Sequence, residues 1–460
     1  MKEPASLPAS SPRGLLHRLA LDRPELRAWA MYDWANSAMV TVIVTAVFPI
    51  FFAKVAWVER EGLSAAEVHA GATTISLLLI ALVAPLLGVV SDRTRRKKQL
   101  LLAFVLLGSC ACAGMFFLRP GEWRLASLLF VLANIGASGS FVFYDALLPH
   151  VARRDEVDRL STSGFALGYL GGGLLLALNL CWIQKPEWFG LPSGPDITPH
   201  EATLPARLAF LSAAVWWLLF TIPLLLRVKE PPCGGGESDS ARPGFLIAFW
   251  QSVLGLRQTL RNLLSYPQAA LMLAAFLIYN DGITTIIRMA SIYGEELELD
   301  AGQMMLALLL VQFIGIPCTF LFGSLAARIG PKRAIQGGLA VYVIVALLAH
   351  GLDSSAEYYW MAGLVGLVQG GTQALSRSLF ASMIPVAKSG EFFGFFAVFD
   401  RFAGILGPLA FAYAIAWTGD VRAAVLPLIA FFVVGGLLLS FVRVEEGRRR
   451  VSGAARGSAP

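Results

Sequence analysis

The sequence predicts an all-α membrane protein, with twelve transmembrane helices arranged as two six-helix, pseudo-symmetric bundles. Three observations support this prediction: the composition is apolar, long apolar segments recur along the chain, and landmarks repeat between its halves. Hydrophobic residues make up 56% and charged residues 15% of the 460 residues, whereas about 25% of residues are charged in typical soluble domains. Mean hydropathy is +0.65. A chain with so few charges favours lipid as its solvent.

Twelve apolar segments are long enough to cross the bilayer, which takes about 20 residues of helix. Helices are expected because lipid offers no partner for backbone N–H and C=O groups. The predicted spans are residues 28–53, 70–91, 99–118, 124–148, 161–182, 205–227, 267–291, 303–327, 334–350, 357–385, 393–417 and 422–443.

These spans divide the chain into five regions. An N-terminal tail (1–27) precedes a first bundle (28–227), a linker (228–266) leads to a second bundle (267–443), and a C-terminal tail (444–460) follows. Within the linker, Arg257 and Arg261 interrupt an apolar stretch over 245–264. This pattern predicts a helix lying on the membrane surface.

Lys and Arg are distributed unevenly among the connecting segments. Placing the N-terminus in the cytoplasm puts 27 of them on the cytoplasmic side and seven outside, with three inside spans. Because basic loops remain in the cytoplasm, both termini are expected to be cytoplasmic, in a bacterial inner membrane. The basic loops account for the net charge of +6, so the expected partner is the bilayer and not nucleic acid. A monomer is expected.

Landmarks in the first six spans recur in the second six. A glycine before a basic loop, a proline at the end of a span and a glycine inside a span repeat at offsets of 235 or 236 residues: Gly88 and Gly323, Pro149 and Pro385, Gly171 and Gly407. This spacing indicates a duplicated six-helix unit. Parallel repeats of this kind place a binding site between the halves, near the midplane.

The loop after span 2 resembles the signature loop of the major facilitator superfamily. Five positions match its pattern: Gly88, Asp92, Arg93, Arg96 and Lys97. Arg95 stands where the pattern has glycine, so the loop is expected to turn differently. The resemblance implies that Gly88, Asp92 and Arg93 belong to a conformational lock, which stabilises one side of an alternating cycle.

Other segments resemble the vacuole effluxer family, the autophagy-related amino-acid effluxer branch of that superfamily. They are Tyr-Asp-Trp-Ala-Asn-Ser-Ala from Tyr32, Asn-Asp-Gly from Asn280, Gly-Leu-Val-Gln-Gly-Gly-Thr-Gln-Ala-Leu-Ser-Arg-Ser from Gly366, Phe-Phe-Gly-Phe-Phe from Phe392 and Gly-Pro-Leu from Gly407. The resemblance implies a secondary transporter. The fungal members suggest amino-acid export, and the substrate of this chain stays open.

Charged side chains inside spans cost about 2.5–3.5 kcal/mol each on insertion scales and usually face a cavity or a partner. Asp281, Thr284 and Arg288 share one face of span 7, and this face is expected to line the cavity. Asp281 is a candidate for taking a proton or binding an amine, and Arg288 for binding a carboxylate. A structural polar patch against a neighbouring helix is the alternative.

Span 10 carries a second polar stripe, formed by Gln369, Gln373 and Arg377. The planar fork of an arginine suits a carboxylate, so this stripe is a candidate for substrate binding. A buried ion pair between Arg377 and Asp33 or Asp145 is the alternative.

Two further polar sites lie near the cytoplasmic ends of spans 1 and 4. Asp33 and Asn36 in span 1 are candidates for binding, although the first turn of a helix favours a carboxylate for electrostatic reasons alone. Asp145 in span 4 is a candidate for a gate or a structural ion pair.

Asp400 and Arg401 are adjacent in span 11 and are candidates for gating. Adjacent residues on a helix point about 100° apart. We therefore expect each to pair with another helix, with Asp92 as a candidate partner for Arg401.

The expected activity is secondary active transport of a small polar solute, an amino acid or a related zwitterion, by alternating access and coupled to protons through Asp281. No Gly-x-x-x-x-Gly-Lys-Ser/Thr segment occurs, so a gradient is expected to supply the energy. The five cysteines lack metal-ligand spacing, so no metal or cofactor is expected. A sensor without flux is one alternative. A membrane enzyme is a weaker one, because no nucleophile–base pair is found.

Overall fold

The structure, a computed structural model, describes residues 14–58, 64–194, 196–231, 244–296, 298–299, 301–352, 354–404, 406–419 and 422–457. Within these ranges lie twelve long helices: α1 (Pro24–Ala56), α2 (Ala65–Thr94), α3 (Lys97–Phe117), α4 (Trp123–Val151), α5 (Val157–Gln184), α6 (Leu204–Arg227), α7 (Pro267–Glu296), α8 (Ala301–Ile329), α9 (Pro331–His350), α10 (Ser355–Ala381), α11 (Ser389–Phe402 and Leu406–Thr418) and α12 (Pro427–Phe441).

Eleven helices of the described chain are long and apolar enough to cross a bilayer, α11 being taken there as one span over 386–418. Helix α10 is not among the eleven. It has 27 residues, enough to cross, but carries the polar stripe formed by Gln369, Gln373 and Arg377. The predicted all-helical membrane fold is confirmed, and the polar content of α10 reflects what this helix contacts inside the bundle.

Local sequence signals define where several helices begin. Ser64 and Glu67 form a reciprocal capping box at the start of α2, and Ser354 and Glu357 form another at the start of α10. Such boxes satisfy backbone N–H groups that have no partner within the helix. Helices α9 and α12 begin with proline, whose fixed φ suits a first turn.

The helices form two bundles of six. In the N-terminal half α1 packs on α5 and α6, and α4 packs on α2 and α3; in the C-terminal half α7 packs on α12 and α10 packs on α8 and α9. The halves meet where α2 packs on α11 and where α5 packs on α8 and α10. This arrangement matches the predicted pair of six-helix bundles.

Both described ends of the chain lie at one end of this assembly, called the terminal end below. The short helix Leu15–Arg18 and the C-terminal helix Val444–Gly457 are both held by residues at, or just before, the start of α5. There Arg159 donates to the His17 carbonyl (3.1 Å) and Arg154 donates to Ser452 Oγ (2.7 Å). The other end of the assembly is called the opposite end.

The two halves are in close contact at the terminal end. A Cβ atom on Gly88 of α2 would overlap the backbone carbonyl of Gly390 in α11. Glycine at these positions therefore lets the backbones of α2 and α11 approach directly. The Asp92 carboxylate accepts the backbone N–H groups of Gly390 (3.0 Å) and Glu391 (2.8 Å) and pairs with Lys97.

The predicted continuous helix over 393–417 is wrong. Helix α11 ends at Phe402 and resumes at Leu406. Gly404 has φ +96°, a conformation that glycine adopts readily and other residues rarely do. Asp281 of α7 contacts the break from the side, as described below.

The linker and tails are described in part. Two helices, Phe245–Leu254 and Leu256–Leu264, replace the single predicted helix over 245–264. They adjoin at Gly255, and the first packs on α2. Residues 1–13, 232–243 and 458–460 lie outside the described residues. That the linker helices lie on a membrane surface stays a prediction.

The glycine contact at the terminal end can be tested by hydrogen–deuterium exchange. Gly88→Val should force α2 away from α11, because its side chain would overlap the Gly390 carbonyl. The amides of Gly390 and Glu391 would then lose their hydrogen bonds to Asp92, and their exchange should speed up. Gly71→Val in the same helix is the control, because nothing lies within 4 Å of its Cβ position. Unchanged exchange in Gly88→Val would contradict this account.

Candidate functional site

A cavity of about 420 Å³ lies between the two halves, within the usual size range of small-molecule sites. Its lining includes Arg377 and Asp145 near the terminal end, and Ala349, Tyr358 and Val425 at the opposite end. The cavity thus runs from the middle of the assembly to the opposite end, whereas the halves are in close contact at the terminal end.

The wall formed by α1 has an unusual backbone. Val40–Ala46 is a π-helical segment, and such segments often occur at functional sites. Ser37, Thr41 and Thr45 of this region line the cavity. Gln312 of α8 donates to Thr41 Oγ1 across the cavity (2.8 Å), which joins the two halves near the middle of the bundle.

Arg377 is buried, with 3% of its surface exposed, and its hydrogen-bond partners all belong to the N-terminal half. Nη1 donates to Asp145 Oδ1 (3.1 Å), and Nη2 donates to Asp33 Oδ2 (3.1 Å) and the Ser161 carbonyl (3.1 Å). Nε donates to Ser161 Oγ (2.9 Å). Asp33, Asp145 and Arg377 are called the charge triad below. Its existence favours the ion-pair interpretation of Arg377, because little of the guanidinium is left for a substrate.

Aromatic rings enclose the guanidinium of Arg377. Its central carbon lies 4.9 Å from the Trp29 ring centroid, 5.4 Å from that of Tyr144 and 4.5 Å from that of Phe165. Each contact adds a favourable cation–π interaction. The Tyr144 hydroxyl also donates to Asp33 (2.8 Å), so the triad is held by hydrogen bonds and by stacking.

Asp33 and Asn36 do not line the cavity, contrary to their candidacy for substrate binding. Asp33 is 3% exposed and is occupied by Arg377 and Tyr144. Asn36 is buried and donates to Ser140 Oγ (3.0 Å) and the Tyr32 hydroxyl (3.3 Å). Both are turned towards α4, so the polar face of α1 is divided between α4 and the cavity.

The prediction that the polar face of α7 lines the cavity is wrong. The Asp281 carboxylate accepts the backbone N–H groups of Gly404 (2.6 Å), Leu406 (3.0 Å) and Gly407 (3.0 Å). Arg288 donates to the Gly404 carbonyl (3.0 Å), and Thr284 donates to backbone carbonyls of its own helix. Asp281, Thr284 and Arg288 are absent from the cavity lining. They lie beside the break in α11, where the Asp281 carboxylate provides the acceptor for backbone N–H groups.

The predicted pairing of Arg401 with Asp92 is also wrong. Arg401 Nη1 lies 3.7 Å from Oδ2 of its neighbour Asp400, and Asn280 donates to Asp400 Oδ1 (3.0 Å). Asp92 is instead occupied by Lys97 and the first turn of α11. A long side chain lets adjacent residues approach despite the 100° turn between them. Asp400 and Arg401 both line the cavity.

Gln369 and Gln373 line the cavity, as their stripe predicts. Within the described chain their side chains make no hydrogen bond, so both side-chain amides are available to a ligand.

The remaining gating candidates lie at the terminal end. Gly88 and Asp92 contact α11 as described, and Arg93 donates to Gln251 of the first linker helix (3.4 Å). Glu230, after α6, accepts the backbone N–H groups of Lys97 (2.6 Å) and Lys98 (3.1 Å). Burial raises the pKa of the Glu230 carboxyl, although these hydrogen bonds oppose the shift.

Three residues of the site were not predicted from the sequence. Gln312 reaches Thr41 across the cavity, Tyr169 lines it, and Ser161 binds Arg377 through both its hydroxyl and its carbonyl. Gln312 is an amide in the middle of an apolar span, and that signal could have identified it. Ser161 gives no such signal, because single serines are common in helices that cross membranes.

The two six-helix halves and the cavity between them define a secondary transporter of the major facilitator class. The proton:xylose symporter XylE, bound to 6-bromo-6-deoxy-D-glucose, has a similar structure, with TM-score 0.67 and 14% identity over 91% of this chain and 95% of its own. The transporter FucP in the outward conformation has TM-score 0.64 and 12% identity over 92% and 100%. These likenesses concern the fold.

The chain belongs to the family described as vacuole effluxer Atg22 like, which matches residues 71–452. An uncharacterized MFS-type transporter, YxiO of Bacillus subtilis (strain 168), is 35% identical over 421 residues, or 91% of this chain and 94% of that protein. Autophagy-related protein 22 of Coccidioides immitis (strain RS) is 22% identical over 82% of this chain and 72% of that protein. The family resemblance noted in the sequence is confirmed.

The role of Asp281 at the break in α11 predicts a stability effect. Asp281→Ala removes the acceptor of three backbone N–H groups, and a buried donor left without a partner costs about 1–3 kcal/mol. We expect a clear drop in melting temperature, and a smaller one for Asp281→Asn, which keeps one acceptor oxygen. Thermal unfolding of purified protein measures both. Equal melting temperatures for wild type and Asp281→Ala would contradict the capping role.

Proposed function

We propose that this secondary transporter carries a small zwitterion, an amino acid, by alternating access, with protons as the coupling ion. The observation that carries this proposal is the set of groups at the cavity wall, where a cation, carboxylates and free amides lie together. A zwitterion needs a donor group for its carboxylate and an acceptor for its ammonium. The cavity offers Arg401 as the donor and Asp400 as the acceptor.

Arg401 replaces Arg377 and Arg288 as our candidate for the substrate carboxylate. Its contact with Asp400 at 3.7 Å is longer than a hydrogen bond. Its Nε is buried and has no hydrogen-bond partner in the described chain. A guanidinium with unused donors favours an anionic ligand, because a bound carboxylate would satisfy them. Arg377, by contrast, spends its three nitrogens on the triad and Ser161.

Other lining residues fit the remaining parts of an amino acid. Gln369 and Gln373 present free amides, which donate and accept hydrogen bonds. Phe276, Phe396 and Met361 give the wall an apolar component. A site with few polar groups on an apolar wall can orient a charged backbone and still accept an aliphatic or aromatic side chain. The family description as effluxers agrees with the movement of a small solute across a membrane.

The basic loops support the proposed orientation. We infer that the terminal end faces the cytoplasm of a bacterium, with the protein in its inner membrane, because the loops at that end carry most of the Lys and Arg residues. The cavity would then open to the outside in this structure. Rocking of the two halves would open the terminal end in turn, as in transporters built from parallel repeats.

Ligand-dependent thermal stabilisation of the purified protein tests the substrate class. A ligand that binds the folded state at 100 times its Kd stabilises it by about 2.7 kcal/mol, so an amino acid should raise the melting temperature. Arg401→Gln should weaken binding about ten- to hundred-fold, because hydrogen bonds to charged groups contribute about 1.5–3 kcal/mol. Arg124→Gln, at an arginine outside the cavity lining, is the matched control.

Three outcomes separate this proposal from its alternatives. Stabilisation by amino acids, together with their uptake into proteoliposomes, supports it. Stabilisation without uptake favours a sensor. Stabilisation by sugars or phosphorylated metabolites, but by no amino acid, would overturn the substrate class and leave the transporter fold unaffected.

A further inference from the structure

We propose that the coupling proton binds to Asp145, within the charge triad that joins the two halves. The inference rests on the proposed proton-coupled transport and names the site at which the proton acts. Asp33 and Asp145 come from the N-terminal half and Arg377 from the C-terminal half. Two carboxylates share one guanidinium. When both carboxylates are ionised, the triad therefore carries one uncompensated negative charge.

An excess charge in a buried cluster is unfavourable, because an ion loses its hydration there and no partner compensates the loss. Binding one proton removes the excess and leaves a neutral ion pair. Two carboxylates that share one site cannot both ionise freely, so one of them takes up a proton more readily. The composition of the triad therefore provides a proton site. The surroundings of the two carboxylates determine which of them binds the proton.

The two carboxylates differ in their partners and in their exposure. Asp33 accepts hydrogen bonds from Arg377 and from the Tyr144 hydroxyl, and it is absent from the cavity lining. Asp145 accepts one hydrogen bond, from Arg377, and it lines the cavity. Its side chain is 13% exposed, against 4% for that of Asp33. A proton from the cavity therefore reaches Asp145, the carboxylate with the fewer donors.

Charged and titratable side chains from several helices surround Asp145. Arg377 faces it from α10, Asp33 from α1 and Asp400 from α11, and Tyr144 precedes it in α4. From α5 the triad receives the hydroxyl and carbonyl of Ser161. Asp33 and Asp400 carry the same charge as an ionised Asp145, and Arg377 carries the opposite charge.

Protonation of Asp145 would weaken the attachment of Arg377. The proton passes from a hydronium ion in the cavity to a carboxylate oxygen: one O–H bond of hydronium breaks, the O–H bond of the carboxylic acid forms, and water is left. Arg377 then keeps its ion pair with Asp33 but loses the one with Asp145. Opening the terminal end withdraws Arg377 from the N-terminal half, and this step leaves one ionised carboxylate behind instead of two. Proton release on the other side would restore the full triad and re-close that end.

Proteoliposomes in sodium-free buffer test this inference through two measurements, substrate-linked proton flux and substrate exchange. Asp145→Asn imitates the protonated state. It should lose the proton flux and the accumulation driven by a pH gradient, and it should keep exchange of labelled substrate across the membrane. Asp158→Asn is the matched control. Asp158 also joins the halves, by accepting the Ser378 hydroxyl (2.5 Å), but it lies outside the triad, and its variant should retain proton flux.

Each possible result supports or overturns the assignment of the proton to Asp145. Proton flux that persists in Asp145→Asn overturns the inference and leaves the proposed transport intact. Wild-type accumulation that a pH gradient fails to drive in this buffer, and that a sodium gradient drives when sodium is added, also overturns it. If the wild type neither binds nor moves an amino acid, the proposed function fails independently of the triad. Should Asp145→Asn fold poorly, infrared difference spectra of the wild type serve instead. A protonated carboxyl band that titrates with pH in the wild type, and that shifts to another frequency in Asp145→Glu, supports Asp145 as the proton site. The absence of such a band overturns the inference.

Discussion

A guanidinium that is buried inside a membrane protein must find acceptors, because an isolated charge in a low-dielectric interior is strongly unfavourable. Arg377 belongs to the C-terminal half, yet Asp33, Asp145 and Ser161, which satisfy it, all belong to the N-terminal half. The two halves can separate at the terminal end only if this side chain is withdrawn. The charge triad thus links the conformation of the whole transporter to one arginine.

A second contact closes the same end of the assembly. Gly88 and Gly390 have no side chains, so the backbones of α2 and α11 come into direct contact there. Asp92 then joins the first turn of α11 to α2. At the opposite end the cavity separates the halves. One end is thus closed by charge and by small residues, while the other end admits a solute.

Sequence reasoning predicted the fold well, because length, hydropathy and the positions of basic loops are properties of single segments. It also predicted that Gln369, Gln373 and Arg377 share one face of a helix, and this face lines the cavity. It placed Asp281 and Arg288 wrongly for a physical reason. Periodicity shows which residues share a helical face, but not what lies opposite that face. The break in α11 at Gly404 has no strong signal in an apolar segment, and it is this break that binds Asp281. The contact of Arg401 with its own neighbour was missed because the rule on helical angles ignores the reach of a long side chain.

The central claim is that Arg377 holds the terminal end closed, and a distance across that end in solution tests it most directly. Spin labels at Asp155 and Lys388, two exposed positions on opposite halves, report this distance by pulsed electron paramagnetic resonance. Arg377→Gln removes the charge and should shift the distribution towards longer distances than in the wild type. An unchanged distribution in Arg377→Gln would show that other contacts close this end and would contradict the account.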